Sequence, residues 1–286
     1  MSFTQLMTYV RCSEHYLFRY VLGMKRPPKK VMKHGFALHE TFAYHFDQKK
    51  QDSKGLKPAE AKEFFADVFK NALEDYETEM EQAKSLLTRE YLAKERETDV
   101  LELFDLGLKG IDLYYKQLNP KIRPDLVEEA FSFPAGKGVE VIGRIDLTDK
   151  KNVIHELKTT RHTPPKQDVL SDPQISIYQI AFETIKKRPA AGVSKDYLVM
   201  SKREPKIVQF IVSRPVVDKK TILWNIAAIM EAVKRNIFYC LHPAESWICS
   251  KEWCAYYKLH QELKKLGFDA FMAKHAPRYR PRRTLK

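Results

Sequence analysis

The chain has 286 residues, 44% hydrophobic and 12% aromatic, which fits one large domain or two intimately packed ones and excludes disorder, a collagen-like repeat or a coiled coil as the main state. Fifty Lys and Arg against 37 Asp and Glu leave a net charge of +13. This favours a polyanionic partner, nucleic acid first and an anionic membrane second, because clustered cations release counterions from phosphates. No apolar run approaches the roughly 18–20 residues of a membrane span, and the amino terminus (MSFTQLMTYVRCSEHY) lacks the layout of a signal peptide, so a cytoplasmic protein is expected.

Residues 1 to about 125 read as helical. Ser2 with Gln5 three positions on forms a capping box, and apolar residues recur at helical spacing through Leu6, Tyr9, Val10, Leu17 and Tyr20. KRPPKKVMK, residues 25–33, breaks that helix with two prolines and leaves a basic loop. Amphipathic helices are predicted over residues 36–46, 59–87 and 100–118. From about Val127 the period changes to two: EEAFSFPA, VEVIGRIDLT and NVIHELKTT, separated by turn signals, predict an antiparallel three-stranded meander. Asp172 as N-cap and Pro173 in the first turn start a further helix. Strands follow near residues 196–200 and 207–213, then a helix over 218–236. After Ile237 the chain becomes irregular and cysteine-bearing, and it ends in a basic tail. Helices, three strands, a helix and two strands make an α+β fold, a sheet flanked by helices.

Strand alternation locates the chemistry. In Gly143-Arg144-Ile145-Asp146-Leu147, Asp146 points away from Ile145 and Leu147; in the next strand Ile154, Glu156 and Lys158 share a face. If the two strands pair, Asp146, Glu156 and Lys158 converge. Two carboxylates about 5 Å apart repel by roughly 3 kcal/mol at an effective dielectric of 20, so such a pair calls for a cation. Mg2+ or Mn2+, held by one or two carboxylates with waters retained, satisfies it. Lys158 beside the ion can hold a water and help deprotonate it for attack on a phosphodiester. The plainer alternative is a surface salt bridge on a half-exposed sheet. On the following helix, Ser176, Gln179 and Glu183 form a polar face, while Gln174 lies opposite with Tyr178, Ala181 and Ile185 and needs a polar partner.

Gly143-x-x-Asp146, Glu156-x-Lys158 and Gln174-x-x-x-Tyr178, in this order and with these gaps, resemble the RecB-like exonuclease branch of the PD-(D/E)XK nuclease superfamily. The helical segment Gly35-x-x-x-His39 is similar to that branch's G-x-x-x-H. The resemblance implies a PD-(D/E)XK restriction-endonuclease-like core, a mixed sheet flanked by helices with a large helical amino-terminal region. It implies that His39, Asp146, Glu156 and the carbonyl of Leu157 hold the metal, that Lys158 assists the attacking water, and that Gln174 and Tyr178 contact DNA or orient the site. Val127-Glu128-Glu129 falls where relatives place a strand acid, with either glutamate open.

Four cysteines, Cys12, Cys240, Cys249 and Cys254, are too few and too scattered for a secreted disulfide framework and point to reactive or metal-binding thiols. CRISPR-associated and AddB-type relatives hold an iron-sulfur cluster with one cysteine in the first helix and three near the end. By that resemblance Cys12, Cys249 and Cys254 are three ligands of a cluster or a zinc ion. His260 is the first choice as the fourth and Cys240 the second; small buried hydrophobic thiols are the alternative. Six Lys or Arg among the last thirteen residues make a solvated end or an additional phosphate contact.

The expected organisation is a helical region over 1–125 carrying Cys12 and His39, a nuclease core over 126–238, a cysteine-bearing segment over 239–273 packed on that core, and the basic tail 274–286. The expected activity is metal-dependent hydrolysis of DNA by an exonuclease, or a flap-type processing enzyme, in recombination, repair, phage or CRISPR-related DNA processing. Its substrate is single-stranded or has a free end, and a helicase or recombination partner is possible; no membrane is involved. A non-catalytic DNA-binding or assembly subunit with the same fold is the alternative, and a restriction-type endonuclease a third.

Overall fold

Ser2 and Gln5 close the capping box at the start of α1 (Phe3–Arg11): the Ser2 hydroxyl accepts from the Gln5 backbone N–H at 3.2 Å, and the Gln5 side chain accepts from the Ser2 N–H at 2.7 Å. The structure is a computed structural model and describes all residues except 27–28, 137, 202–203, 241–245 and 277–286. The helix expected to continue through Tyr20 is broken at Cys12, whose backbone is extended (φ −165°, ψ 106°). It restarts as α2 (Ser13–Tyr16) and runs into a π turn over Leu17–Val21, so Cys12 stands at a corner. Helix α3 (Lys30–Asp52) starts inside the segment expected to be a basic loop, whose two prolines lie outside the described residues. Pro58 opens α4 (Pro58–Ala83), where its missing N–H costs nothing. The unexpected α5 (Arg89–Arg96) is capped by Thr88, whose hydroxyl accepts from the Tyr91 N–H at 3.1 Å. Helix α6 (Val100–Gln117) completes the series before the first strand.

Strands β1 (Pro124–Pro134), β2 (Glu140–Asp149) and β3 (Val153–Thr160) form the antiparallel meander. Asp149 makes the second turn: its Oδ1 accepts from the N–H groups of Lys151 and Val153, both at 2.9 Å, and Asn152 takes the left-handed conformation the turn needs (φ 64°). Helices α7 (Lys166–Leu170) and α8 (Gln174–Lys186) then cross over the sheet, which lets β4 (Gly192–Val199) lie parallel to β3. Strand β5 (Lys206–Val212) returns antiparallel, giving one mixed sheet in the order β1-β2-β3-β4-β5. Helix α9 (Val216–Lys234) follows. The region beyond residue 237, expected to be irregular, contains α10 (Tyr257–Leu266) and α11 (Phe268–His275), joined at Gly267 (φ 78°). Lys274 and His275, expected in the tail, end α11 and pair with Glu262; residues 277–286 of that tail lie outside the described residues.

Two compact units divide the chain. One comprises Met1, Val31–Leu73 and Val100–Ala227 and contains the whole sheet. One sheet face, through Leu147, Leu157 and Leu198, packs on Phe42 and Phe46 of α3, Phe65 of α4 and Tyr114 of α6. Helix α8 covers the other face, contacting β1 to β4. The second unit comprises Ser2–Lys30, Glu74–Asp99 and Ala228–Lys286. Its core joins Leu17, Phe18 and Met24 to Tyr256, Leu259 and Phe271, and the Tyr256 hydroxyl donates to the Met24 carbonyl at 2.6 Å. Among the described residues no helix is long and apolar enough to cross a membrane.

Candidate functional site

Strand β2 pairs with β1 along nearly its whole length but with β3 only at Leu147↔His155 and Thr148↔Ile154. Beyond those pairs the two strands fork. Asp146 and Glu156 are the first residues past the last pair, one on each branch. Helix α3 comes close because Gly35 has no side chain: a Cβ there would lie 3.0 Å from Thr159 Oγ1. One turn further on, His39 Nε2 reaches 3.1 Å from Asp146 Oδ2 and 3.5 Å from Glu128 Oε1.

Between the pairs Val127↔Leu147 and Glu129↔Ile145, Glu128 stands opposite Asp146, and its φ of 50° breaks the strand's alternation. Of the two glutamates left open by the sequence, the structure brings Glu128 to His39 and Asp146. Arg144 holds its second oxygen at 3.2 Å. A left-handed non-glycine residue inside a strand is strained.

From the opposite face of the sheet, Gln174 at the start of α8 donates its Nε2 to Glu156 Oε1 and to the Tyr178 hydroxyl oxygen, each at 3.0 Å. Tyr178 in turn donates to Asp146 Oδ1 at 3.5 Å. Lys158 pairs with Glu156, and Leu157 lies between them in sequence with its side chain against the helical layer. Gly143 leaves room for the Phe131 ring, which a Cβ would meet at 2.5 Å, and Phe131 stands edge-on to Tyr178. Two of the three residues of the polar face expected on α8, Ser176 and Gln179, are buried, and Gln179 donates to Ser213 and accepts from the Arg214 N–H; Glu183 is half-buried and pairs with Lys219.

The electrostatics match the donor set of a cation site. Burial lowers the His39 pKa, but the hydrogen bond and charge of Asp146, with Glu128 and Glu156, raise it to about 9. Asp146 is raised by burial and by the charge of Glu156, His39 opposing. Burial also pushes Glu156 up, yet Lys158 and Lys195 hold it below the usual carboxylate range. Lys158 is raised, because the charge of Glu156 outweighs burial, so without a cation it is an ammonium. One oxygen of Glu156, Oε2, is buried with no hydrogen-bond donor, as is Glu128 Oε1. Ligand atoms of His39, Glu128 and Asp146 all lie within 4.8 Å of one another. A hard divalent cation fits these oxygens and this imidazole.

Sequence reading missed Lys195, a fully buried ammonium 2.7 Å from Gln174 Oε1 and 2.8 Å from Asp172 Oδ2. It also missed the buried group of His155, Asp149 and Asp196, in which His155 Nδ1 lies 2.9 Å from Asp196 Oδ2. The available signal was Ser194-Lys195-Asp196, three polar residues in a row between the apolar ends of GVSKDYLV.

A second cluster lies within the other unit. Ligand atoms of Cys12, Cys240 and His260 lie within 4.8 Å of one another, as do those of His15, Cys254 and His260. His15 Nε2 is 3.3 Å from Cys254 Sγ, and Glu14 bonds His260 Nδ1, which turns Nε2 toward the sulfurs. The two residues weighed as a fourth partner, His260 and Cys240, both reach Cys12. Cys249 feels the charges of Cys12 and Cys254 and a hydrogen bond from Cys240. The Cys240 hydrogen bond, with His260 and His15, pulls the Cys12 thiol down against burial. Burial raises Cys254, but His15 and His260 bring it to about 6. Cys240 and Cys249 are raised instead, Cys240 by its hydrogen bond to Cys12 and Cys249 by burial; the lowered thiols of Cys12 and Cys254 beside imidazoles suit a soft metal.

Residues 1–259 match the family model of the PD-(D/E)XK nuclease superfamily. Among solved structures the chain is similar to a candidate exonuclease from Eubacterium rectale at 10% identity, with a TM-score of 0.51, over 84% of this chain and 82% of that one, a likeness of fold. No curated protein matches the chain.

Proposed function

From the premise that the chain belongs to the PD-(D/E)XK nuclease superfamily, we propose that it is a divalent-metal-dependent deoxyribonuclease of the RecB-like branch, acting on linear DNA as an exonuclease. The observation that carries this reading is the convergence of His39, Asp146, Glu156 and Lys158 at the β2–β3 fork, with a buried oxygen of Glu156 left without a donor.

His39, Asp146, Glu156 and the Leu157 carbonyl would hold Mg2+ or Mn2+, with Glu128 beside them. When bound, such a cation neutralises the clustered carboxylates and activates water for attack on a phosphodiester. Lys158, kept protonated by Glu156, holds the attacking water and offsets charge developing on the phosphate oxygens. Gln174 and Tyr178 fix the orientation of Glu156 and Asp146. The +13 charge favours retention of a polyanion. His39 and the Gln174–Tyr178 pair, which the sequence shares with the exonuclease branch, support end-dependent cleavage, with a single strand or a free end as substrate and a helicase or recombination factor as partner in the cytoplasm. Cys12, Cys249 and Cys254 with His260, or with Cys240 in its place, would hold an iron-sulfur cluster or zinc, supported by the gathering of Cys12, Cys240 and Cys254 around His15 and His260.

The test is digestion of end-labelled linear and covalently closed circular DNA, single- and double-stranded, with Mg2+ or Mn2+ and with excess chelator. Linear DNA should be degraded only with the cation and circles spared. Cutting of circles would make the protein an endonuclease; equal activity in chelator would remove the metal mechanism.

A further inference from the structure

Position 195 is an unusual place for a charge. Strand β4 lies between β3 and β5, and the residues sharing a face with Lys195 include the buried Val193 and Val199. Register sets Lys195 directly beside Glu156 of β3. Its side chain has no solvent exposure, and among the described residues its ammonium has two partners. One is Asp172 Oδ2 at 2.8 Å; the other oxygen of Asp172 accepts the Gln174 backbone N–H at 2.9 Å and so caps the first turn of α8. The second is Gln174 Oε1 at 2.7 Å.

That second contact decides which way the Gln174 amide faces. Turned the other way, its NH2 would meet an ammonium and its oxygen a carboxylate, two repulsive contacts in place of two attractive ones. With Oε1 held by Lys195, Nε2 must point at Glu156 and Tyr178, and the Tyr178 hydroxyl, accepting from Gln174, has its proton free for Asp146. Donors and acceptors run in one direction from Lys195 to both fork carboxylates. Burying an ammonium is costly, and apolar replacements of buried ion pairs are often neutral or stabilising, so packing alone does not account for a lysine here.

We propose that Lys195 is a positioning residue of the carboxylate fork: it sets the direction of a hydrogen-bond chain, through Gln174 and Tyr178, that aims Glu156 and Asp146 at a common point. This rests on the reading of the fork as a cation site.

The experiment has a metal-free arm and a metal arm, both on the full chain. In 15N-glutamine-labelled protein without metal, the side-chain amide of Gln174, assigned by its loss in Gln174→Met, should exchange slowly with water. Lys195→Met should speed that exchange about tenfold or more. Lys195→Gln keeps an N–H donor at the same position and, where the methionine variant does not fold, serves in its place with an intermediate rate. In the metal arm, Mn2+ affinity should fall about 10- to 100-fold in Lys195→Met. It should fall no further in the double variant Lys195→Met/Gln174→Met than in the worse single one. Native-like exchange in either folded Lys195 variant, rapid exchange in the native protein, or multiplicative losses in the double variant would overturn the proposal. Absence of Mn2+ binding by the native chain would contradict the cation site instead, and the metal-free arm would then decide Lys195 by itself.

Discussion

The carboxylate fork and the thiol-imidazole cluster are assembled in different ways. The fork draws Asp146, Glu156 and Lys158 from two strands joined by one short turn, and adds Glu128 from the neighbouring strand β1 and His39, Gln174 and Tyr178 from helices α3 and α8. The thiol cluster draws Cys12 and His15 from the start of the chain and Cys240, Cys254 and His260 from near its end. The fork offers hard oxygens and raises the pKa of Asp146 and His39; the cluster offers sulfur and lowers that of Cys12 and Cys254. One suits Mg2+ or Mn2+, the other iron or zinc. The contrast teaches that donor chemistry, rather than proximity alone, distinguishes two side-chain clusters of similar compactness.

The comparison breaks if the centres depend on each other. The largest expected effect is on cleavage: Asp146→Ala or Glu156→Ala should lower the rate by on the order of a thousandfold or more, beyond the loss of a single preorganised donor. The iron or zinc content of the same Glu156→Ala protein, measured by elemental analysis, should equal that of the native chain. Loss of both together would show a single coupled centre. Next, Cys254→Ala should strip iron or zinc and lower the melting temperature, because a metal bound only by the folded chain contributes its binding energy to folding. An unchanged metal content would make Cys254 a buried packing residue.

Gln174→Ala should slow cleavage about 10- to 100-fold with DNA affinity retained, as expected for a group that orients a ligand. A proportional loss of DNA binding would make Gln174 a DNA contact instead.

The smallest effect sharpens the contrast within one helix. His34 sits on α3 only five residues before His39, yet it is buried edge-on to Phe65 and Phe69, and burial lowers its pKa to about 4. Its folded pKa lies below the unfolded one, so its contribution to stability is complete above about pH 6.5 and is lost as pH falls toward 4. At 1.4 kcal/mol per unit this amounts to at most about 3–4 kcal/mol. Urea unfolding of His34→Leu should show a flatter dependence over that window; an unchanged slope would assign the acid sensitivity to other groups.

The fork was legible because period-two alternation states which side chains share a face, so Asp146, Glu156 and Lys158 could be brought together from sequence alone. Glu128 was not distinguishable from Glu129, because its positive φ breaks that same alternation. Lys195 interrupts an apolar strand and shows its purpose only once Asp172 and Gln174 stand beside it. Thiol spacing cannot report that Cys12 lies at a break in the first helix, nor choose between Cys240 and His260 when both reach it. Helices α10 and α11 were within reach: Leu259 and Leu263 stand four apart and Gly267 marks the stop, but the cysteines and tryptophans before them gave the segment an irregular look.

The most direct test of the central claim is a Mn2+ titration of the native chain and Asp146→Ala, followed by electron paramagnetic resonance, with DNA cleavage measured on the same samples. The native chain should bind Mn2+ and cleave in step with its occupancy, and Asp146→Ala should lose both together. Cleavage by the native chain without bound Mn2+ or another divalent cation, or full Mn2+ binding and cleavage in Asp146→Ala, would contradict a cation held at the β2–β3 fork.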